Sequence, residues 1–231
     1  MNDLKGRVVY IDNHLIAVNK LAGEIVQEDK SGDVPLFEKV KEYVRIEFNK
    51  PGEAFLGVIH RIDRPVSGVV LFARTSKGLQ RMNELFKSRQ IKKTYLAIVE
   101  KSPPEQEETI TRLLKKNQNQ NKSYIVNKKS KEANESILSY CLLSASDRYY
   151  LLSVNPVSGR HHQIRAMLAD IGCTIKGDLK YGAKRSNPDG SICLHAFQLE
   201  FTHPVHQNLI KIQAKPPNDN LWDYFYSEVV A

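Results

Sequence analysis

The sequence predicts an α+β fold: a large mixed, mostly antiparallel sheet flanked by a few helices. Three observations carry this. Short apolar or alternating runs of strand length recur along the chain, and only a few segments show helical spacing. The two kinds of segment also follow an irregular order, unlike the strict alternation of a parallel α/β sheet. At 231 residues the chain has enough material for a substantial core.

Residues 7–10 and 15–19 read as short strands joined by the turn residues Asp12-Asn13-His14. Lys20-Leu21-Ala22-Gly23 ends the second. Over residues 33–48, Phe37, Val40 and Val44 recur at helical spacing, with Asp33 as the N-cap. Residues 55–62 and 69–73 predict strands on either side of a turn. Ser76 caps a second helix, with Leu79, Met82, Leu85 and Phe86 on one face. Residues 95–99 form another strand and residues 101–105 a surface connector. Residues 115–131 read as a basic hairpin or loop around Tyr124-Ile125-Val126. Residues 137–143 and 149–154 pair as antiparallel strands. Gly159 opens a short helix with Ile164, Leu168 and Ile171 inward, and residues 192–201 and 209–213 supply the last strands.

Hydrophobic content of 41% with 26% charged residues is that of a soluble globular protein. No run reaches the roughly 18 apolar residues of a membrane span, and no signal-peptide core opens the chain. Cys141, Cys173 and Cys193 are widely spaced, as in a reduced, cytoplasmic protein. The net charge is +8, and its location is informative. Residues 74–131 hold 15 Lys and Arg against 5 Asp and Glu, whereas the remainder holds 19 against 21. Such a patch suits a polyanion, with nucleic acid the usual one in a cytoplasm. A solvated lysine-rich face is the other reading.

The most pointed chemistry lies in His60-Arg61-Ile62-Asp63-Arg64-Pro65-Val66-Ser67-Gly68, just ahead of the apolar run Val69-Val70-Leu71-Phe72-Ala73. Two arginines beside Asp63 favour its ionised form. The turn residues then place that carboxylate at the lip of a sheet. A kinase catalytic loop is excluded because Ile62 splits the required contiguity and no glycine-rich loop is present. No metal is expected: His161 and His162 are adjacent and point apart, and His203 with His206 has no carboxylate or thiolate near it in sequence. Tyr95 sits on a strand within Lys93-Thr94-Tyr95-Leu96-Ala97, where a phenol can project from the sheet or simply pack. Residues 156–165 form a basic turn entering a helix, in which Arg160, Gln163 and Arg165 make a donor-rich cluster.

Together these segments resemble the RluA-type pseudouridine synthases. Residues 60–68 are similar to that family's His-Arg-Leu-Asp-Arg-x-Thr-Ser-Gly, with Ile62 and Val66 as departures. Residues 93–97 resemble its Lys-x-Tyr-x-Ala strand, and residues 156–165 its Pro-x-Thr-Gly-Arg-x-His-Gln-Ile-Arg segment, with Ser158 for threonine. Gly177-Asp178 with Tyr181-Gly182, and Leu194-His195-Ala196 with Phe201, His203 and Pro204, match later landmarks. Lys20-Leu21-Ala22-Gly23 departs from the family's Lys-Pro-x-Gly by losing a proline.

The resemblance implies Asp63 as nucleophile, Tyr95 as the general base that also packs on the target base, and Arg165 as the ion-pair partner of Asp63. It implies a flipped uridine, with Arg61 filling the gap and Leu194 lining the uracil pocket. Arg64, Arg160 and Gln163, with Lys115, Lys116, Lys128 and Lys129, are the expected RNA contacts, the lysines acting through phosphates. The reaction involves no redox change, so no cofactor is expected. The expected partner is a tRNA or rRNA stem-loop, and the expected form is a cytoplasmic monomer. Residues 1–231 are expected to be a single catalytic domain without the S4-type RNA-binding domain that many relatives carry. Two rivals stand beside this reading. One is a non-catalytic RNA-binding protein on the same fold, which has no need for Asp63, Tyr95 and Arg165. The other is an N-glycosidase, which lacks a second acid to activate water.

Overall fold

The apolar run ahead of Arg74 becomes the strand around which the first part of the chain is built. The computed structural model describes residues 2–230. The first elements are α1 (Asn2–Lys5), β1 (Val8–Ile11), β2 (Leu15–Lys20), α2 (Leu36–Glu47), β3 (Gly57–Val58), β4 (Ser67–Ala73) and α3 (Ser76–Lys87). Then come β5 (Lys92–Val99), β6 (Glu107–Asn117), β7 (Lys122–Val126), β8 (Ala133–Ala145), β9 (Tyr150–Pro156) and α4 (Gln163–Asp170). A 3₁₀ turn (Leu179–Tyr181), β10 (Leu194–Thr202), β11 (Leu209–Gln213) and α5 (Asn220–Val230) complete the chain. The fold class is α+β with mostly antiparallel strand pairing, as the sequence predicts. Among the described residues no helix is long and apolar enough to cross a membrane.

The chain divides into two compact units. The first takes the residues up to Lys92 together with Ala196–Pro217, and the second takes Lys93–His195 with the residues from 218 on. In the first unit the strand order is β1-β2-β4-β10, with β3 also on β4 and β11 on β10. Every position of β4 is buried. Val70 and Phe72 face Ile16 and Val18 of β2 and Leu36, Val40 and Val44 of α2. Val69 and Leu71 face the opposite way, into a cluster with Met82 of α3 and Leu199, Phe201 and Ile212. A strand covered on both faces reads as a continuous apolar run instead of an alternation. Each such side chain stabilises the fold by about 1.5–3 kcal/mol through burial.

In the second unit the order is β5-β9-β8-β6-β7. The β8–β9 pairing predicted from residues 137–154 is present, with a bulge between Leu142 and Ser144. The 11-residue strand β6, which runs the length of β8, has no counterpart in the sequence reading. Only Ile110 and Leu114 of β6 are buried, and the half-buried Arg112 at the position between them on the same face hides the period of two.

Element ends differ from expectation for local reasons. Helix α2 starts after Pro35, whose φ of −70° already suits a helix start, and not at Asp33. Thr75, not Ser76, caps α3 by accepting the Gly78 N–H at 3.0 Å. Within residues 55–62 only Gly57–Val58 pairs as a strand. Beyond it the Leu71 N–H goes to His60 Nε2 at 3.0 Å, so a side chain replaces the ladder bond. Helix α4 begins at Gln163, later than Gly159, because the loop before it is held by side chains. Helix α5 has no counterpart in the sequence reading either. Its residues Leu221, Trp222, Phe225 and Tyr226 share one face, with Trp222 and Phe225 buried, but the acid Asp223 and the exposed Tyr224 interrupt them in sequence.

Candidate active site

Asp63 is half-buried on the turn that leads into β4. Its carbonyl accepts the Val66 N–H at 3.0 Å, closing the turn around Pro65. The next carbonyl, that of Arg64, accepts the Gly23 N–H at 2.8 Å and Lys20 Nζ at 3.1 Å. Lys20 is fully buried at the end of β2, and its ammonium also donates to the carbonyls of Leu21 and Glu24, each at 2.8 Å. Burial pushes Lys20 down to about 7, against the pull of the Glu24 and Asp63 carboxylates. Lys20, the first residue of the segment that lacks the family's proline, thus ties that segment to the Asp63 turn.

Gly68 follows on the same strand with φ of +119°, and a Cβ there would collide with the Ala196 backbone. Only glycine combines that dihedral with so close an approach. Arg64 pairs with Asp33 at 2.5 Å, and Arg61 is exposed.

The second unit holds the other residues singled out from the sequence. Tyr95 is half-buried on β5 opposite Val154 of β9. Nearby, Asn155 donates to the Lys93 carbonyl and to Thr94, and Lys93 Nζ reaches the Ser158 carbonyl at 3.2 Å. Gln163 is buried, and its amide holds the loop before α4. Oε1 accepts from Ser158 Oγ at 2.7 Å and from the Arg160 N–H at 3.1 Å, while Nε2 donates to the Ile137 carbonyl at 3.0 Å. Gln163 thus supports the loop that carries the exposed Arg160.

Arg165 is 5% exposed, and Asp178, at 1%, clasps it side-on, with Nε at 2.7 Å and Nη2 at 2.8 Å. A two-point pair of this kind fixes the plane of the guanidinium as well as its position. The Tyr181 ring lies 5.1 Å from the Arg165 guanidinium carbon. Asp178 and Tyr181 are residues to which sequence reasoning gave no role, although both fall within its recognised landmarks.

Tyr181 also joins two segments. Its hydroxyl accepts the Ser123 N–H at 2.9 Å, donates to the Ser123 carbonyl at 3.1 Å, and meets His162 Nδ1 at 3.0 Å. With the hydroxyl proton on Ser123, His162 Nδ1 must be the donor. Burial, and then the Arg165 charge, hold His162 down to about 2, so the ring is neutral. His162 adopts a left-handed φ of +52° just before α4. Ser123 Oγ donates to the His161 carbonyl at 2.6 Å, tying β7 to the same loop.

Leu194 is buried at the start of β10. Lys115, Lys116, Lys128 and Lys129 are exposed on and beside the β6–β7 hairpin, with Lys115 paired to Glu132 at 2.6 Å. Arg61, Asp63 and Arg64 belong to the first unit, whereas Tyr95, Arg160, Gln163, Arg165, Leu194 and these lysines belong to the second.

Among the described residues, Asp12, His203 and His206 bring possible metal-ligand atoms within 4.8 Å of one another. The hydrogen bonds argue against that use. His203 Nδ1 accepts the N–H groups of Val205 at 3.2 Å and His206 at 2.9 Å, so a neutral ring carries its proton on Nε2. That nitrogen lies 2.9 Å from Asp12 Oδ2. A metal-bound imidazole has the opposite arrangement and donates from its second nitrogen. Tyr10 adds a bond to Asp12 at 2.7 Å. Burial opposes ionisation of Asp12, but Tyr10 and the amides of His14 and Leu15 outweigh it and hold the carboxyl below its usual range.

The first unit thus carries a carboxylate on a turn, and the second carries a clasped arginine and a half-buried tyrosine on a strand. The fold has solved counterparts. The structure of human RNA pseudouridylate synthase domain containing 4 superposes with a TM-score of 0.82 over 99% of this chain and 95% of that one, at 21% identity. In sequence, the RNA pseudouridylate synthase family matches residues 14–170, and the chain belongs to that family of isomerases. It is 31% identical to tRNA pseudouridine synthase C of Haemophilus ducreyi over 96% of this chain and 94% of that protein. It is 29% identical to ribosomal large subunit pseudouridine synthase C of Buchnera aphidicola subsp. Baizongia pistaciae over 90% of this chain, which spans 66% of that relative's length.

Proposed function

We propose that this chain converts one uridine of a tRNA or rRNA stem-loop into pseudouridine, with Asp63 as nucleophile, Tyr95 as general base and Arg165 as the ion-pair partner of Asp63. The observation that carries the reading is the Asp63 turn, tied by backbone bonds to Lys20, Gly23 and Val66 within a motif similar to the family's signature. A carboxylate held in this way meets its target without first reorganising. Asp178 takes the Nε–Nη2 edge of Arg165 and so fixes the plane of its guanidinium.

In the reaction the C1′–N1 bond breaks and a C1′–C5 bond forms. The carboxylate either attacks C1′ or removes a sugar proton to release the base. Tyr95 then accepts the C5 proton while N1 gains one, so the product is an isomer of the substrate. Arg61 fills the stack vacated by the flipped uridine, Leu194 lines the uracil pocket, and Arg64, Arg160 and the hairpin lysines meet phosphates. Gln163 acts through the loop it holds. The relatives named above act on tRNA and on large-subunit rRNA, which supports structured RNA as the substrate class.

The test is Asp63→Asn, assayed for pseudouridine in unmodified tRNA and rRNA transcripts. Product formation is expected to vanish while RNA binding largely persists. Turnover surviving in that variant would remove Asp63 from the role of nucleophile. A wild-type protein that binds these RNAs but forms no product would favour the non-catalytic alternative.

A further inference from the structure

The β6–β7 hairpin has two unlike faces. Leu114 and Ser123 are buried, and Ser123 is bonded to His161 and Tyr181. On the other face, the register sets Lys115 opposite Tyr124, Asn117 opposite Lys122, and Leu113 opposite Val126. There the Tyr124 ring is 39% exposed beside an open hollow of about 250 Å³ lined by Lys115, Lys116, Asn117, Tyr124 and Val126.

Tyr124 does not swing freely. Its hydroxyl donates to Gln120 Oε1 at 2.5 Å, and Lys122 Nζ lies 5.2 Å from the ring centroid. The surrounding stretch, residues 115–131, contains six lysines, and the nearest acid, Glu132 just beyond it, pairs with Lys115 at 2.6 Å. An exposed, fixed aromatic ring among cations is the pattern by which single-stranded nucleic acid is held. Bases stack on the ring, and lysines meet the backbone.

We infer that Tyr124 is a stacking platform for one unpaired nucleotide of the RNA, with Lys115, opposite it in the register, taking a neighbouring phosphate. This nucleotide is not the uridine that reacts. Strand β7 stands four places from β5 in the sheet order, about 19 Å at the usual strand spacing, so a base on Tyr124 does not also touch Tyr95. The inference rests on the RNA-directed reading of the chain and adds a second point of base contact to it. Stacking tolerates any base, so the platform senses an unpaired nucleotide and not its identity.

The test compares binding of a fluorescein-labelled stem-loop RNA with binding of heparin, a polyanion without bases, over a series of salt concentrations. The proteins are wild type, Tyr124→Phe, Tyr124→Leu, Tyr124→Ala and Lys115→Gln. Leucine and alanine at position 124 are expected to weaken RNA binding by about tenfold. The salt slope and heparin affinity should stay as in wild type, and phenylalanine should restore RNA binding. The lysine variant should instead weaken both ligands and lower the salt slope by about one unit for each phosphate it no longer neutralises. RNA affinity indifferent to Tyr124→Ala overturns the platform, as does an equal loss toward heparin or a failure of phenylalanine to restore binding. A wild-type protein that makes no pseudouridine refutes the proposed function, yet the contrast between RNA and heparin still decides the platform.

Discussion

The two units hold the groups proposed to react by opposite means. In the first, the Asp63 turn is fixed through its backbone, with carbonyls bonded to Lys20, Gly23 and Val66. In the second, Arg165 is fixed through its side chain, by the Asp178 clasp and the Tyr181 ring. The difference follows from side-chain reach. Aspartate has a short side chain and goes where its backbone goes, so the fold must position the turn. Arginine has a long, flexible stem and needs partners at its tip to acquire a single orientation. A backbone-held group should tolerate the loss of one anchor better than a tip-held group tolerates the loss of its clasp.

The largest effect should come from breaking the clasp. Asp178→Ala leaves Arg165 charged and almost fully buried, which costs about 3–5 kcal/mol for pairs of this kind. Urea denaturation would measure it, and a cost below about 1 kcal/mol would mean that Arg165 is held mainly by something other than Asp178.

Lys20→Met comes next. It leaves carbonyls of the Asp63 turn without their donor, at a cost of about 2 kcal/mol near neutral pH. Its pH dependence carries a distinctive sign. The folded-state value for Lys20 is about 7, below its ordinary 10.5, so between those values the unfolded chain binds more protons than the folded one. Stability from this group therefore rises with pH across that window and is lost as pH falls through the folded value. The wild type should gain on Lys20→Met as pH is raised from 7 toward 10, and a gap that narrows would contradict the assignment. The smallest effect should be that of Tyr181→Phe, which keeps the ring beside Arg165 but removes the hydroxyl, at about 1 kcal/mol. A loss matching that of Asp178→Ala would show that the hydroxyl network, and not the carboxylate, orients Arg165.

Sequence alone revealed the two units unequally. Strand β4 and the Asp63 turn were legible because burial on both faces leaves an unbroken apolar run and the turn residues adjoin it. The partners of Arg165 were not. Asp178 follows it by 13 positions, and no periodicity relates a charge to a carboxylate brought in by a separate loop. Lys20 could be seen only as the end of a strand, because nothing local announces that an ammonium will be enclosed by carbonyls. Strand β6 is hidden because its buried side chains are spaced four apart, a helical interval, with Arg112 at the inward position between them. Gln163 shows the converse error: its residue type and its basic neighbours suggested an RNA contact, yet its amide is occupied by the loop.

The bonds from Ser123 to His161 and Tyr181 bear on how this enzyme family could be re-engineered. The β6–β7 hairpin invites grafting, since exchanging it between relatives is an obvious way to transfer substrate preference. A graft that replaced residue 123 would also remove a bond to the loop before α4, which leads into the helix turn that carries Arg165. Exchanges confined to residues 118–119, at the tip between the two strands, would spare that joint and the Gln120 anchor of Tyr124 while changing the surface of the hairpin.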